Sequence, residues 1–294
     1  MKIAKGKYSI LPLLLIAILA TTSCKKSSTD DGGSQALAEQ TLVDVPYAAD
    51  ASQKMDVYLP ANRSEATTYI VVMVHGGSWS GGDKTDFNTD IPNIRTLLGN
   101  YAIFNINYRL ANGSSILLTQ QTDDINTAFA YITSKAAEYH VNTNKIALMG
   151  ASAGGHLALL KAYKANADGR IKAMVDLFGP TDMAWMYNNH PLPIYTQPII
   201  ANVMGGTPTT SAAAYTSGSP INFVTSTVPP TIIFHGTIDP VVPISESDRL
   251  NTKLQTAGVA HQYITYIGEG HSWVGTNLTD TYNKATDFIK NWVK

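Results

Sequence analysis

A Gly-x-Ser-x-Gly string in the middle of the chain has the residue types of a nucleophilic catalytic site. It places Ser152 between Gly150 and Gly154, after a β-branched run and before an apolar helical pattern. The glycines permit a sharp turn between strand and helix, on which a serine hydroxyl stands clear of the sheet. A serine hydroxyl is a poor nucleophile unless a base removes its proton and an acid orients that base. Ser152 is therefore the predicted nucleophile.

One of the seven histidines is well placed to act as the base. His271 follows the last predicted strand and a flexible turn that contains two glycines, close to the end of the chain. The remaining histidines lie in other motifs, after or within helices, in an irregular segment, before a strand, or beside a glycine at a strand end. His156, one helical turn after Ser152, is expected to point into the packing. His271 is the predicted base.

The acid is expected between the nucleophile and the base, in the chain order that accompanies this kind of turn. Asp239 stands just past the buried strand predicted at 231–234, on a loop that two prolines stiffen. Asp182 also stands near a strand end and is the alternative acid. Asp239 is preferred because it lies one strand before His271.

A second glycine pair could stabilise negative charge. His75-Gly76-Gly77-Ser78-Trp79 follows the apolar run that ends at Val74. Consecutive glycines let backbone amides turn toward an oxyanion, and each such donor is worth about 3 kcal/mol. The amide directly after the nucleophile would complete the hole. The candidate donors are the amides of Gly76, Gly77, Ser78 and Ala153.

The elements that must position these residues alternate between strand and helix. An alternating pattern predicts an edge or antiparallel strand at 55–59, and apolar runs predict strands at 69–74, 102–107, 145–149, 171–178, 231–234 and 262–267. Helical periodicity predicts helices at 123–139, 153–163, 246–255 and 279–292. Strands separated by helices imply a mostly parallel sheet covered on both sides, with its chemistry at the carboxyl ends of the strands. The fold class is α/β.

Composition excludes several other classes of protein. The 294 residues carry a formal charge of −1, with 44% hydrophobic and 15% charged residues, as in ordinary globular proteins. A near-neutral chain without basic clusters has no electrostatic footprint for nucleic acid. The single cysteine, Cys24, excludes an intramolecular disulfide and a cysteine-rich metal site.

The first residues have the pattern of an export signal. Three lysines precede an apolar run at 10–20, which is shorter than the roughly 20 residues that a bilayer span requires. Small residues then precede Cys24, as in a bacterial lipobox, although Thr21 stands where such motifs usually carry leucine. We expect a signal peptide at 1–23, acylation of Cys24, a flexible tether at 24–40 and a catalytic domain at 41–294. The expected location is periplasmic or at the cell surface, with the lipid in the membrane.

The assembled motifs resemble the α/β-hydrolase fold, and within it small carboxylesterases related to bifunctional acetylxylan and feruloyl esterases. The resemblance rests on Gly-Ala-Ser-Ala-Gly-Gly-His, on His-Gly-Gly-x-Trp, and on the segments 177–182, 219–221 and 235–243. It implies the roles already given to Ser152, Asp239 and His271, and no metal or organic cofactor. It also implies that Gly77, Ser78 and Ala153 supply the oxyanion amides, although Ser78 stands where many esterases have a third glycine.

The predicted insertion at 181–228 is rich in Pro, Thr, Asn and Ala, and we expect it to form a short irregular segment over the site. It lacks the long apolar helix of an interfacial lipase lid, which favours short or soluble esters. Its aromatic side chains could line a binding cleft or only pack the insertion, and Trp79 could contact substrate or fill the core. The candidate substrate contacts are Trp79, Trp185, Tyr187 and Trp273.

Three functions are compatible with these residues. The favoured one is a serine carboxylesterase for short-acyl esters, with acetyl or feruloyl groups on plant-type polysaccharides as candidate substrates. The second is an amide hydrolase, because the His-Gly-Gly-x-Trp string is also similar to that of kynurenine formamidases. The third is a lipoprotein that uses an inactive hydrolase fold for binding.

Overall fold

The computed structural model describes residues 36–294. The predicted signal segment, Cys24 and residues 25–35 of the predicted tether lie outside the described residues. Backbone contacts begin at Leu37, whose carbonyl accepts a hydrogen bond of 2.8 Å from the amide of Asn62. The first strand begins at Gln40, next to the predicted start of the folded domain.

The described chain has the strands β1 (Gln40–Pro46), β2 (Lys54–Leu59), β3 (Tyr69–Val74), β4 (Tyr101–Ile106), β5 (Ile146–Ala151), β6 (Ile171–Leu177), β7 (Thr231–Gly236) and β8 (His261–Tyr266). They form one eight-stranded sheet in the order β1-β2-β4-β3-β5-β6-β7-β8. The strand β2 is antiparallel to both of its neighbours, β1 and β4. The pairs β4–β3, β3–β5, β5–β6, β6–β7 and β7–β8 are all parallel. This confirms the predicted mostly parallel sheet.

Helices cover both faces of the sheet. They are α1 (Ile91–Leu98), α2 (Leu118–Ser134), α3 (Ala136–Tyr139), α4 (Ala153–Lys164), α5 (Met183–Asn189), α6 (Pro193–Met204), α7 (Ala212–Ser217), α8 (Ser245–Thr256) and α9 (Gly275–Trp292). Successive strand residues point to opposite faces, so β3 contributes to two cores. Ile70 and Val72 pack with residues of α2, α4 and α8. Val71 and Met73 pack on the other face with α1 and α9.

The segment between β6 and β7 is largely helical, which corrects the expectation of an irregular insertion. It contains α5, α6 and α7, and a short 3₁₀ turn follows them. Local signals explain these helices: Asp182 caps α5, Pro193 opens α6, and Gly205 ends α6 in the left-handed conformation. The helices α5 and α7 are short, and α6 carries Pro198 in its interior, so the segment lacks a clear helical pattern.

Three further elements differ from the prediction. The helix expected at 123–139 is divided into α2, which begins at Leu118, and α3. The strand β1 and the helix α1 were not predicted. β1 is mostly exposed at the sheet edge, and so it lacks an apolar pattern.

Within residues 36–294, no helix combines the length and the apolar character needed to cross a membrane.

Candidate active site

The predicted nucleophile occupies a strained turn between β5 and α4. Ser152 has φ 53° and ψ −122°, and a non-glycine residue in such a conformation costs about 1–3 kcal/mol. The flanking glycines make the turn possible by allowing close backbone contact. A Cβ atom on Gly150 would lie 2.3 Å from the carbonyl oxygen of Gly154, and one on Gly154 would lie 2.2 Å from that of Val74. The elbow is therefore pressed against the end of the neighbouring strand β3.

The structure brings Ser152, His271 and Asp239 together at the carboxyl ends of three strands. The Oγ of Ser152 lies 2.9 Å from Nε2 of His271. Nδ1 of His271 lies 2.7 Å from Oδ2 of Asp239. With the proton on Nδ1 donated to Asp239, Nε2 is free to accept the serine proton. This is the geometry that a serine nucleophile, a base and an orienting acid require.

The carboxylate of Asp239 is held in its ionised form. Burial raises its pKa, but hydrogen bonds from His235 and His271 outweigh burial and hold the pKa well below the usual value. Its Oδ1 accepts hydrogen bonds from the amides of Val241 at 2.8 Å and Val242 at 3.0 Å. Both oxygens are therefore engaged, and the carboxylate has little freedom to rotate away from His271.

A second histidine, which sequence analysis set aside, contacts the same carboxylate. His235 is fully buried, and its Nε2 lies 3.3 Å from Oδ2 of Asp239 and 2.9 Å from the carbonyl oxygen of Val242. Its Nδ1 lies 2.7 Å from the hydroxyl of Ser247 on α8. The spacing of four residues between His235 and Asp239 at a strand end is the signal that could have identified it.

Phe178 supports the base and was also missed. It follows β6 with φ 47°, and its amide donates to the carbonyl of Phe234 at 2.9 Å. The ring centroid lies 4.8 Å from that of His271 and 5.3 Å from that of Trp273. The imidazole therefore has an aromatic wall on one side, which restricts its orientation.

The alternative acid has other partners. Asp182 caps α5 by accepting a hydrogen bond of 3.0 Å from the amide of Trp185, and it forms an ion pair with Arg249 on α8. Its described hydrogen bonds and ion pairs do not include His271. The geometry therefore favours Asp239 as the orienting acid.

The glycine loop after β3 lies directly against the elbow. A Cβ atom on Gly76 would lie 3.0 Å from the carbonyl oxygen of Ala151 and 3.2 Å from Cβ of Ser152. The next three residues all have positive φ: 109° at Gly77, 51° at Ser78 and 62° at Trp79. Such a run turns the backbone away from the extended path of β3.

The amides that sequence analysis assigned to an oxyanion hole are available for a ligand. Among the hydrogen bonds of residues 36–294, none uses these amides as a donor. The carbonyl of Gly77 instead accepts from the amides of Ser80 at 3.2 Å and Gly81 at 2.8 Å, which closes the loop on itself. The available amides are those of Gly76, Gly77, Ser78 and Ala153.

The four predicted substrate contacts occupy different environments. Trp79 is only 3% exposed and packs in the core, so the structure does not place it on a binding surface and this expectation is corrected. Trp273 is buried against Phe178. Trp185 and Tyr187 are half-buried in the insertion, the first under the guanidinium of Arg249 at 5.1 Å. Tyr187 packs edge-on against Tyr215.

A cavity of about 310 Å³ adjoins the elbow on the face covered by α1 and α9. Gly76 and Ala151 form its wall toward the nucleophile. Its other lining residues include aromatic and carboxylate side chains, among them Phe87, Asp90, Phe178, Trp273 and Tyr282. In the part of the chain that the structure describes, no group of three or more His, Cys, Asp or Glu side chains is arranged to hold a metal ion.

Comparison with known protein families gives a match to the BD-FAE family over residues 55–254. The chain belongs to the BD-FAE family. The matched region includes the glycine loop, the elbow and Asp239, and it ends before His271. The BD-FAE match therefore covers most of the sheet and all three insertion helices.

Several curated relatives of this BD-FAE chain are named as esterases or carboxylic ester hydrolases, and one is named a dipeptidyl aminopeptidase. It is 26% identical over 234 residues to Esterase LipQ of Mycobacterium tuberculosis (strain ATCC 25618 / H37Rv), which covers 74% of this chain and 53% of the relative. The chain thus spans about half the length of the curated relatives it matches.

Two solved structures share both the fold and about a quarter of the sequence. A bifunctional GH43-CE protein of Bacteroides eggerthii is 26% identical, with a TM-score of 0.73, over 85% of this chain and 38% of that one. A truncated carbohydrate esterase from gut microbiota is 25% identical, with a TM-score of 0.70, over 86% and 95% of the two chains. Together with the sheet topology, these similarities establish the α/β-hydrolase fold.

Proposed function

We propose that the protein is a serine carboxylesterase that acts on short-acyl esters, with acylated carbohydrates as the substrate class. The observation that carries the proposal is the hydrogen-bonded chain from Ser152 Oγ through His271 to Asp239, with distances of 2.9 and 2.7 Å. Membership of the BD-FAE family and the esterase names of relatives support ester hydrolysis. Two structural neighbours, the bifunctional GH43-CE protein and the truncated carbohydrate esterase, support acylated carbohydrates as the substrate class.

In the first half of the proposed reaction, Ser152 Oγ attacks the ester carbonyl carbon while Nε2 of His271 takes the hydroxyl proton. The carbonyl oxygen becomes negatively charged and receives hydrogen bonds from the free amides of the glycine loop and of Ala153. Ionised Asp239 stabilises the imidazolium that forms. The C–O bond to the alcohol then breaks, His271 donates its proton to the alcohol oxygen, and an acyl-serine remains.

In the second half, water takes the place of the alcohol. His271 removes a proton from the water as its oxygen attacks the acyl carbon, and the same amides stabilise the second oxyanion. The bond to Ser152 Oγ then breaks, and His271 returns the proton to the serine. The carboxylic acid leaves, and the residues regain their starting protonation states.

The cavity beside the elbow supports a small or aromatic group on one side of the ester. Its volume of about 310 Å³ exceeds that of an acetyl group, and its aromatic wall suits a planar ring. The helices of the insertion are short, α6 being the longest at 12 residues, which favours soluble substrates over a lipid interface. Acetyl and feruloyl esters are therefore the two acyl groups to compare.

The deciding experiment uses the full chain and its Ser152→Ala variant on four substrates. These are p-nitrophenyl acetate, acetylated xylo-oligosaccharides, methyl ferulate and N-formylkynurenine. We expect release of acetate from the oligosaccharides, with kcat lowered at least about 1,000-fold in Ser152→Ala. Circular dichroism establishes that the variant is folded.

Each outcome has a distinct meaning. Unchanged ester hydrolysis by folded Ser152→Ala would refute the serine mechanism. Faster hydrolysis of N-formylkynurenine than of any ester would replace the esterase with an amide hydrolase. No turnover of any substrate by the wild-type chain would favour the inactive binding protein. Hydrolysis of p-nitrophenyl acetate without action on the oligosaccharides would remove the carbohydrate part of the proposal.

We further propose that the chain is exported and anchored through acylated Cys24. The basic start, the apolar run at 10–20 and the small residues before the cysteine support this location. Expression of the full chain in a bacterial host should place it in the membrane fraction and label it with palmitate. Cys24→Ser should lose the label and leave the membrane fraction, and retention of the label would refute acylation at this residue.

A further inference from the structure

A hydrogen bond between two buried aromatic side chains connects the glycine loop to the nucleophile helix. Nε1 of Trp79 donates to Nδ1 of His156 at 3.0 Å, and the two rings are perpendicular at 89°. The side chains are almost fully buried, with 3% exposure for Trp79 and none for His156.

The partners of His156 define its tautomer. The indole nitrogen of Trp79 can only donate a hydrogen bond, so Nδ1 of His156 must be unprotonated. Nε2 then carries the proton and donates it to the carbonyl oxygen of Gly218, at 2.7 Å. A neutral imidazole satisfies both bonds. Burial lowers the pKa of His156 to about 4, which keeps the ring neutral near neutral pH.

Trp79 lies at the end of the glycine loop, and His156 lies on the helix that begins at the nucleophile. Trp79 is the last residue of the run with positive φ, and its carbonyl accepts from the amide of Ala111 at 2.8 Å and from Nε2 of Gln121 at 2.7 Å. His156 lies one turn into α4, and its amide donates to the carbonyl of Ser152 at 3.0 Å. Both the backbone and the ring of Trp79 are therefore fixed, the ring through the helix that carries the nucleophile.

We propose that the Trp79–His156 hydrogen bond is a positioning contact that sets the spacing between the oxyanion amides of the glycine loop and the elbow at Ser152. A run of residues in rare backbone conformations persists only where surrounding contacts hold it. The amides of Ser78 and Ala153 come from different elements, and both must reach one oxygen atom. The inference rests on the proposed function, because it concerns stabilisation of the same oxyanion.

The test begins with Trp79→Phe in the full chain, which keeps a buried ring and removes the donor. With p-nitrophenyl acetate, we expect kcat to fall about 10- to 100-fold and KM to stay within about twofold, since misplaced amides weaken binding of the transition state alone. If Trp79→Phe lowers the melting temperature but leaves kcat unchanged, the bond contributes to packing and not to positioning, and the inference is overturned.

Two substitutions of His156 separate its two hydrogen bonds. The side-chain amide of His156→Asn reaches the place of Nδ1 and can accept from Trp79. That of His156→Gln reaches the place of Nε2 and can only replace the bond to Gly218. We expect His156→Asn to keep kcat within about threefold of the wild type and His156→Gln to resemble Trp79→Phe. The reverse order would overturn the inference, even if Trp79→Phe did not fold.

Tyr163→Phe is the matched control. Tyr163 lies on the same helix α4, and its buried hydroxyl hydrogen-bonds to Thr231 at 2.8 Å. Its removal should lower the melting temperature without changing kcat. Because both substitutions break the same bond, the double variant Trp79→Phe with His156→Gln should have a kcat no lower than that of the less active single variant. A kcat lowered by the product of the two single reductions would contradict a shared bond. If Ser152→Ala stays active, the proposed function fails; if only the Trp79 and His156 variants stay fully active, the positioning inference alone fails.

Discussion

The contact between the nucleophile elbow and β3 makes a sharp prediction for Gly154→Ala. A Cβ atom at this position would lie 2.2 Å from the carbonyl oxygen of Val74 and 2.3 Å from that of His75. Real Cβ atoms essentially never approach another heavy atom within 3.0 Å, so the backbones must separate by about 0.8 Å. Neither obstacle is a flexible side-chain tip, and so the helix α4 and the strand end have to move apart.

That displacement is large compared with the tolerance of the site. If it is carried into Ser152, the distance of 2.9 Å to Nε2 of His271 grows to about 3.7 Å, which is no longer a hydrogen bond. A misplacement of about 1 Å commonly costs a factor of about 100 in rate. We therefore expect kcat to fall about 100-fold, and the free energy of unfolding to fall by about 1–3 kcal/mol from overpacking.

Steady-state hydrolysis of p-nitrophenyl acetate and thermal unfolding measure the two effects separately. Gly169→Ala is the control, because Gly169 has φ 63° and no heavy atom within 4 Å of the added Cβ. It should cost about 1 kcal/mol of stability through backbone strain and leave kcat unchanged. A Gly154→Ala protein with kcat within twofold of the wild type would refute the reasoning from close contact.

Three further predictions concern charged groups. Asp239→Asn should lower kcat about 10,000-fold, because an amide cannot stabilise the imidazolium. Asp182→Asn should retain activity, because asparagine can still cap α5. The opposite result would reverse the assignment of the acid. Lys84→Met should lower the free energy of unfolding by about 3–5 kcal/mol in chemical denaturation, because it leaves the buried Asp56 without its ion-pair partner at 2.8 Å. Lys54 pairs with Asp44 at the surface and is partly exposed, so Lys54→Met should cost at most about 1 kcal/mol. Burial raises the pKa of Glu246 from 4.5 to about 7, so the folded state holds this proton more tightly and stability should fall as pH rises from about 4.5 to 7. Glu246→Gln should flatten that decline in the melting temperature, and an unchanged slope would show that Glu246 titrates normally.

The parts of the fold that were predicted correctly are those with strong local signals. The run at 69–74 is buried on both faces, and its strand has the predicted bounds. Helix α4 begins at Ala153, directly after the elbow, because the glycine-serine turn marks its start. The insertion helices were missed because α5 and α7 have only 7 and 6 residues, too few for a clear helical period, and because α6 carries Pro198 in its interior, where proline ordinarily ends a helix.

The candidate site divides along a similar line. Ser152, Asp239 and His271 could be selected because strand ends of a parallel sheet meet at one edge, so chain order alone gave their proximity. The supporting contacts could not be selected in this way. Phe178 packs on His271 across 93 positions of sequence, and Trp79 meets His156 across 77, and no local pattern encodes such pairs. Trp79 was considered for substrate contact because an aromatic residue beside a glycine loop has the same sequence appearance in either role.

The position of the base predicts that catalytic activity is lost before the fold when the protein unfolds. His271 follows β8, which among the described strands pairs only with β7 and is partly exposed, whereas Ser152 follows β5 in the interior of the sheet. Edge elements with few buried contacts open with less free energy than the whole domain. Fraying of β8 would therefore separate the base from the nucleophile while the central strands keep their amide protons. Under rising denaturant, catalysis should disappear before the cooperative transition, and amide exchange should begin at 261–266.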